Sequence, residues 1–118
     1  MKRFLTIASV LLVVSLGAGG CAQVRSADPV RDAIRQNFPE QYDKAVRVAS
    51  CESGLNPRAV SPGGANWGLF QINSVHKGLV ASMGYSWDKI LDPYVNARVA
   101  RQIYNSSGGW RPWSCGGA

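Results

Sequence analysis

Between residues 51 and 73 the chain reads CESGLNPRAVSPGGANWGLFQIN, and Glu52 is the one acidic side chain in it. No Asp or Glu follows until Asp88. A lone carboxylic acid ahead of a run of Gly, Asn, Ser and aromatic residues that could hold a polar, ring-shaped ligand could act as a general acid, giving a proton to a leaving oxygen. Cleavage of a glycosidic bond needs such a proton, and hydrolases commonly add a second carboxylate as nucleophile or as base for water. The plainer role is a helix-end glutamate paired with Arg58 or Arg111, and helix position alone favours it. His76 has no Ser or Cys nucleophile arrangement around it and reads as a surface residue at a helix start. One His and two distant Cys offer no metal-ligand spacing, so neither a metal nor an organic cofactor is expected.

The elements that must position Glu52 are mostly helices. Asp28-Pro29 pairs an N-cap with a proline at the first helical position, which predicts a helix to about Asn37. Pro39-Glu40 opens a second helix that Gly54 closes. Ala45, Val48, Ala49 and Glu52 share one face of it, so the acid continues an apolar stripe. The end of a helix and an apolar face both disfavour a negative charge, which suits a general acid. Pro62-Gly63-Gly64 is a turn, and Leu69 to Ile72 reads as a short strand of a small hairpin. On such a strand Gln71 and Asn73 share one face. Asn73 or Ser74 caps a helix ending at Gly84, Ser86 to Leu91 adds a helical turn, and Asp92-Pro93 starts a last helix to about Tyr104. Val95, Val99, Ala100 and Ile103 form its buried face, with Asn96 as a buried structural hydrogen-bonder. NSSGGWRPWSCGGA reads as an irregular tail. The expectation is a mainly α, α+β domain over residues 29–118: a compact helical body with one small β-hairpin and one disulfide.

The chain opens MKRFLTIASVLLVVSLGAGGCAQ. A basic start, an apolar block and a small-residue exit read as an export signal over residues 1–20. The apolar block is shorter than the roughly 20 residues a membrane-spanning helix needs. LGAGGC resembles a bacterial lipobox, with Ala18 where Leu is usual, and would make Cys21 a lipidated first residue. Cleavage after Ala22 would instead discard Cys21. Either route leaves Cys51 and Cys115, which favour a disulfide in an exported chain. Such a bridge closes a loop of about 65 residues, worth roughly 4 kcal/mol of chain entropy, and brings Trp110 and Trp113 near Glu52. Residues 22–28 form a polar tether that spans at most about 25 Å, so a lipid-anchored form would act close to its membrane. Past the signal, 11 Lys and Arg face 7 Asp and Glu, with no run dense enough for nucleic acid. A mild positive charge fits an anionic polymer such as a cell wall, and equally fits ordinary solubility.

The 51–73 stretch resembles the catalytic core of the lysozyme superfamily, in particular its soluble lytic transglycosylase type. That type carries a pattern close to E-S-x-x-N-P-x-A-x-S-x-x-G-A-x-G-L-x-Q. Glu52, Ser53, Asn56, Pro57, Ala59, Ser61, Gly64, Ala65, Gly68, Leu69 and Gln71 stand at the matching places, with one extra residue in GANWG. IYNSSGG is loosely similar to the family's A-Y-N-A-G signature, and CESG with a late WSC resembles the resuscitation-promoting-factor branch. The resemblance spans about residues 40–115. It implies the β-1,4 link between N-acetylmuramic acid and N-acetylglucosamine in peptidoglycan as substrate, and Glu52 as catalytic acid. It implies Ser61 as a partner orienting Glu52, Tyr104 as the tyrosine that reaches the acid, and Gln71 as a ligand-holding residue. Beside these, Asn73 can hold sugar polar groups, Trp67 can pack on a sugar face, Trp110 can line the cleft, and Trp113 can cover the disulfide. Asn66 stands where animal-type lysozymes carry an aspartate.

A lytic transglycosylase needs no second carboxylate. One glutamate acts as acid and then as base on the sugar's own C6 hydroxyl, closing a 1,6-anhydro ring. The expectation is therefore an exported, monomeric lytic transglycosylase acting on peptidoglycan strands. A membrane is met only through a lipid on Cys21. The rivals are a hydrolytic muramidase using Asp88 or Asp92 to hold water, a non-catalytic wall-binding protein, and a lipoprotein that serves only as a partner-binding surface.

Overall fold

The computed structural model describes residues 27–118; the export signal, Cys21 and all but the end of the tether lie outside the described residues. Helix α1 (Pro29–Asn37) starts as its cap predicts: the Asp28 carboxylate accepts the Arg31 amide at 3.0 Å, with Pro29 in the first turn. A 3₁₀ turn at Pro39–Gln41 leads into α2 (Tyr42–Ser53). Gly54, at φ +64°, closes α2, its N–H reaching the Ser50 carbonyl at 2.8 Å. That left-handed step is open to glycine without strain.

Strands β1 (Asn66–Trp67) and β2 (Ile72–Asn73) pair antiparallel, Asn66 opposite Asn73 and Trp67 opposite Ile72. The strand expected over Leu69–Ile72 is instead mostly the turn between them. Gly68 at φ +79° and Gln71 at φ +50° reverse the chain, and Leu69 and Phe70 drop together into the core, both fully buried. The apolar run thus reflects burial at a turn and not strand alternation. Gln71 and Asn73 consequently do not share a strand face.

A 3₁₀ turn at Ser74–His76, capped by the Asn73 side chain on the Val75 amide at 3.0 Å, runs into α3 (Lys77–Ser82). A further 3₁₀ turn spans Trp87–Leu91, and α4 (Pro93–Ser107) follows. The Asp92 carboxylate caps α4 by accepting from the Tyr94 and Val95 amides. This helix runs three residues past Tyr104, because Gly108 is the first residue to turn left-handed, at φ +70°. The irregular tail therefore begins at Gly108 and not at Asn105.

The core joins Ala33, Ile34 and Phe38 of the α1 segment to Ala45, Val48 and Ala49 of α2 and to Ala97, Val99, Ala100 and Ile103 of α4. Each large side chain fully buried here contributes about 1.5–3 kcal/mol. The Tyr94 hydroxyl donates to Asp32 at 2.8 Å, tying α4 to α1. Asn96, fully buried, does what was expected of it. Its Oδ1 accepts the Phe70 amide at 2.8 Å, and its Nδ2 donates to the Trp67 carbonyl at 3.0 Å and the Ile90 carbonyl at 2.9 Å. One side chain thereby locks the β-turn onto α4. Gly68 passes so close that a Cβ there would lie 2.3 Å from Asn96 Nδ2. The result is the mainly α architecture with a two-stranded sheet and one disulfide read from the sequence.

Candidate active site

Glu52 stands in the last turn of α2, partly exposed, and continues the stripe of Ala45, Val48 and Ala49. Its Oε1 accepts two hydrogen bonds, from the Ser114 hydroxyl at 3.1 Å and from the Cys115 amide at 2.9 Å. No pairing with Arg58 or Arg111 occurs; among the described residues the ion pairs are Arg31–Asp28 and Arg101–Glu40. Cys51, the residue before Glu52, is bonded to Cys115 with Cα atoms 6.0 Å apart. The acid and the tail that holds it are therefore joined covalently as well as by hydrogen bonds.

A cleft of about 140 Å³ opens beside Glu52. One wall is the β element, supplying Asn66, Gln71, Ile72 and Asn73; His76 follows, Ile103 comes from α4, and Pro112, Trp113 and Ser114 come from the tail. Asn73 Nδ2 donates to Asn66 Oδ1 at 3.0 Å, so the two amides across the register form one polar floor. Gln71 Nε2 donates to the carbonyls of Ala59 and Gly68 at 3.1 and 3.0 Å, which fixes its side chain at the rim. The Ser53 hydroxyl donates to the Leu69 carbonyl at 2.6 Å, holding this wall against the end of α2.

Glu52, Asn66, Gln71 and Asn73 thus meet in one place, and other expected residues do not. Ser61 was expected to orient Glu52. Its hydroxyl instead accepts the Asn66 amide at 3.0 Å, stapling the start of β1. The Tyr104 hydroxyl meets Gln41 Nε2, and its ring lies edge-on to Phe38 and Trp110. Trp110 donates to Gln41 Oε1 at 2.8 Å within that aromatic cluster and packs on Trp113, and it is not itself among the cleft-lining residues. Trp113, assigned only a covering role, is the cleft wall, with its indole N–H on the Phe70 carbonyl at 2.9 Å. Trp67 turns its N–H to the Gly64 carbonyl and packs on Trp87 at 5.7 Å, outside the cleft lining. For Tyr104 and Trp110 the cause is the aromatic cluster around Phe38 and Phe70, against which both rings pack.

Sequence reasoning missed His76 and Ser114. Spacing alone leaves both on the surface. For Ser114 a signal existed, since it precedes the cysteine that bonds next to Glu52.

Glu52 is the one carboxylate lining this cleft among the described residues. Asp88 accepts from the Ser86 hydroxyl, which holds it below the ordinary carboxylate range, and Asp92 is occupied in capping α4. Neither lines the cleft. No group of three or more His, Cys, Asp and Glu side chains gathers among the described residues, and no helix there is long and apolar enough to cross a membrane.

The described cleft thus combines one carboxyl, Glu52, with a polar wall from the two-stranded element. The family profile described as a lysozyme-like domain matches residues 34–115, which takes in Glu52, the cleft and both cysteines of the bridge. The chain belongs to the lysozyme-like domain family. It is also 33% identical over 75 residues to the protein IpgF of Shigella flexneri, covering 60% of this chain and 48% of that protein. The chain thus spans about half the length of the curated relative it matches. No solved structure gives a significant match. The narrower likeness to resuscitation-promoting factors remains one of motifs. Family and disulfide together suggest a protein working outside the cytoplasm.

Proposed function

We propose that this protein is a peptidoglycan lytic transglycosylase that cleaves the β-1,4 bond between N-acetylmuramic acid and N-acetylglucosamine. Family membership supports a glycosidase or transglycosylase kind of activity. The observation that carries the finer reading is the solitary carboxyl: among the described residues Glu52 lines the cleft without a second Asp or Glu. Inverting and retaining hydrolysis each ask for a second carboxylate flanking the bond. Intramolecular attack by the C6 hydroxyl does not.

In this reading Glu52 Oε2, which takes no protein hydrogen bond among the described residues, carries the proton. With Oε1 engaged by Ser114 and Cys115, the proton sits on the oxygen left for substrate. Glu52 gives it to the leaving O4 of N-acetylglucosamine as the bond from C1 of muramic acid breaks. The C6 hydroxyl of the same muramic acid then bonds to C1 and returns its proton to Glu52. A 1,6-anhydro end forms, no water is consumed, and the acid is regenerated. The amide groups of Asn66 and Gln71 offer a donor and an acceptor for N-acetyl or hydroxyl groups of the flanking sugars.

Mass spectrometry of soluble fragments released from purified peptidoglycan, with Glu52→Gln in parallel, tests this. Glu52-dependent products ending in 1,6-anhydromuramic acid are expected. Reducing ends, one water heavier, would replace the proposal by hydrolysis. Wall binding with no Glu52-dependent product would replace it by a non-catalytic role.

A further inference from the structure

We infer that the C-terminal tail is a positioning device for the catalytic carboxylate, and that the Cys51–Cys115 bridge locks this device in place rather than merely lowering chain entropy. The inference rests on the reading of Glu52 as the acid and adds what sets its geometry. Ser114 and the Cys115 amide lie 62 and 63 residues from Glu52 along the chain, yet both donate to the same oxygen, Oε1. The disulfide joins the neighbours of those contacts: Cys51 precedes the acid, and Cys115 carries the donating amide. A bridge placed only for stability has no reason to end on the residue whose N–H holds the acid.

The tail has its own rigid mount. Successive turns run through it, with the Trp113 amide on the Trp110 carbonyl, Gly116 on Trp113 and Ala118 on Cys115. Trp113 is buried and anchored to the Phe70 carbonyl. Gly116 fits only without a side chain, since a Cβ there would lie 2.5 Å from the Trp110 carbonyl oxygen. Lys44 on α2 donates to the Ala118 carbonyl at 2.7 Å. A carboxylate on a helix end retains two or three freely turning bonds. Two donors on one oxygen select one rotamer and leave Oε2 for the proton in transit. A general acid displaced from its hydrogen-bond reach loses efficiency steeply. Ser114 is accordingly a positioning residue: it touches the acid and needs no contact with sugar.

The test compares kcat and KM on soluble glycan-strand fragments for the purified protein and four variants. Ser114→Ala is expected to lower kcat about tenfold while KM stays within about twofold, and Ser114→Thr to recover most of the loss. The Cys51→Ser/Cys115→Ser double variant, assayed where circular dichroism shows it folded, is expected to lose kcat about tenfold or more with KM unmoved. Tyr94→Phe, which removes a bond between α1 and α4 made by residues that do not line the cleft, controls for stability and keeps its kcat. If Ser114→Ala and the cysteine variant both keep kcat within about twofold, or if Ser114→Thr restores nothing, the positioning role is overturned. Should the cysteine variant not fold, the Ser114 pair decides. Glu52→Gln is run beside them: if that change leaves activity intact, the assignment of the acid fails, which is a separate outcome from failure of the tail alone.

Discussion

Replacing Asn96 by alanine is expected to be among the costliest single changes in the domain, although Asn96 touches no cleft atom. Its side chain makes three hydrogen bonds in a fully buried setting. Alanine would strand the Phe70 amide and remove donors from the Trp67 and Ile90 carbonyls. Taking about 2 kcal/mol for the orphaned N–H and about 1 kcal/mol for each carbonyl gives a loss of about 4 kcal/mol. A domain of this size holds only about 5–14 kcal/mol in all. With a urea slope of about 1 kcal/mol per molar, the midpoint should fall by about 4 M, or folding should be lost at 37 °C. Asn96→Asp keeps the volume and the acceptor but loses both donors and buries a charge, so it should do no better at neutral pH. Gly68 supplies an internal check. A Cβ there meets Asn96 Nδ2 at 2.3 Å and the Ile90 carbonyl oxygen at 2.6 Å, so Gly68→Ala should cost measurably less in the Asn96→Ala background than in the wild type. Equilibrium urea unfolding of the three variants and the double mutant measures all of this. A midpoint shift under about 1 M for Asn96→Ala would refute the claim that this side chain locks the turn to α4.

Glu52→Gln should abolish wall cleavage, by about a thousandfold or more, while thermal unfolding changes little, because the amide can still accept from Ser114 and Cys115. Tyr104→Phe should leave kcat within about twofold and lower the melting temperature slightly, because the hydroxyl serves Gln41 and not the acid; a large kcat loss would return Tyr104 to the site. Trp113→Phe should cost about 1–2 kcal/mol through the lost bond to the Phe70 carbonyl and should raise KM, since that ring is a cleft wall; unfolding and kinetics report the two separately. Acid titration of stability should show a loss beginning below about pH 4.5. The Arg31 amide bonded to Asp28 and the Arg101 guanidinium beside Glu40 hold these carboxyls below their ordinary values of 3.8 and 4.5. A depressed folded value means the contribution is complete above the ordinary value and vanishes as pH falls through the folded one. Asp28→Asn should flatten part of that loss.

Where signals are local, the sequence alone determined the answer. Asp28-Pro29, Asp92-Pro93 and Gly54 act through contacts of the backbone with its own neighbours, so these caps follow from a few adjacent residues, whereas the end of α4 at Gly108 fell three residues beyond the expected one. The face carrying Glu52 follows from helical period, and the partnership of Cys51 with Cys115 from arithmetic on three cysteines. Asn96 was legible because a polar residue within an apolar stripe must find partners. Tertiary structure decided which side chains reach the acid. The cysteine pair marked the tail as a neighbour of Glu52, but that the Ser114 hydroxyl and the Cys115 amide both fall on one oxygen of the acid, and that His76 lines the cleft, follows from how the tail and the β element pack. Burial of aromatic area took Tyr104 and Trp110 into the cluster, and the turn before β1 engaged Ser61 with the Asn66 amide. Local rules place elements because their energies are paid within a few residues, whereas a site is the meeting of distant segments, set by how the core closes.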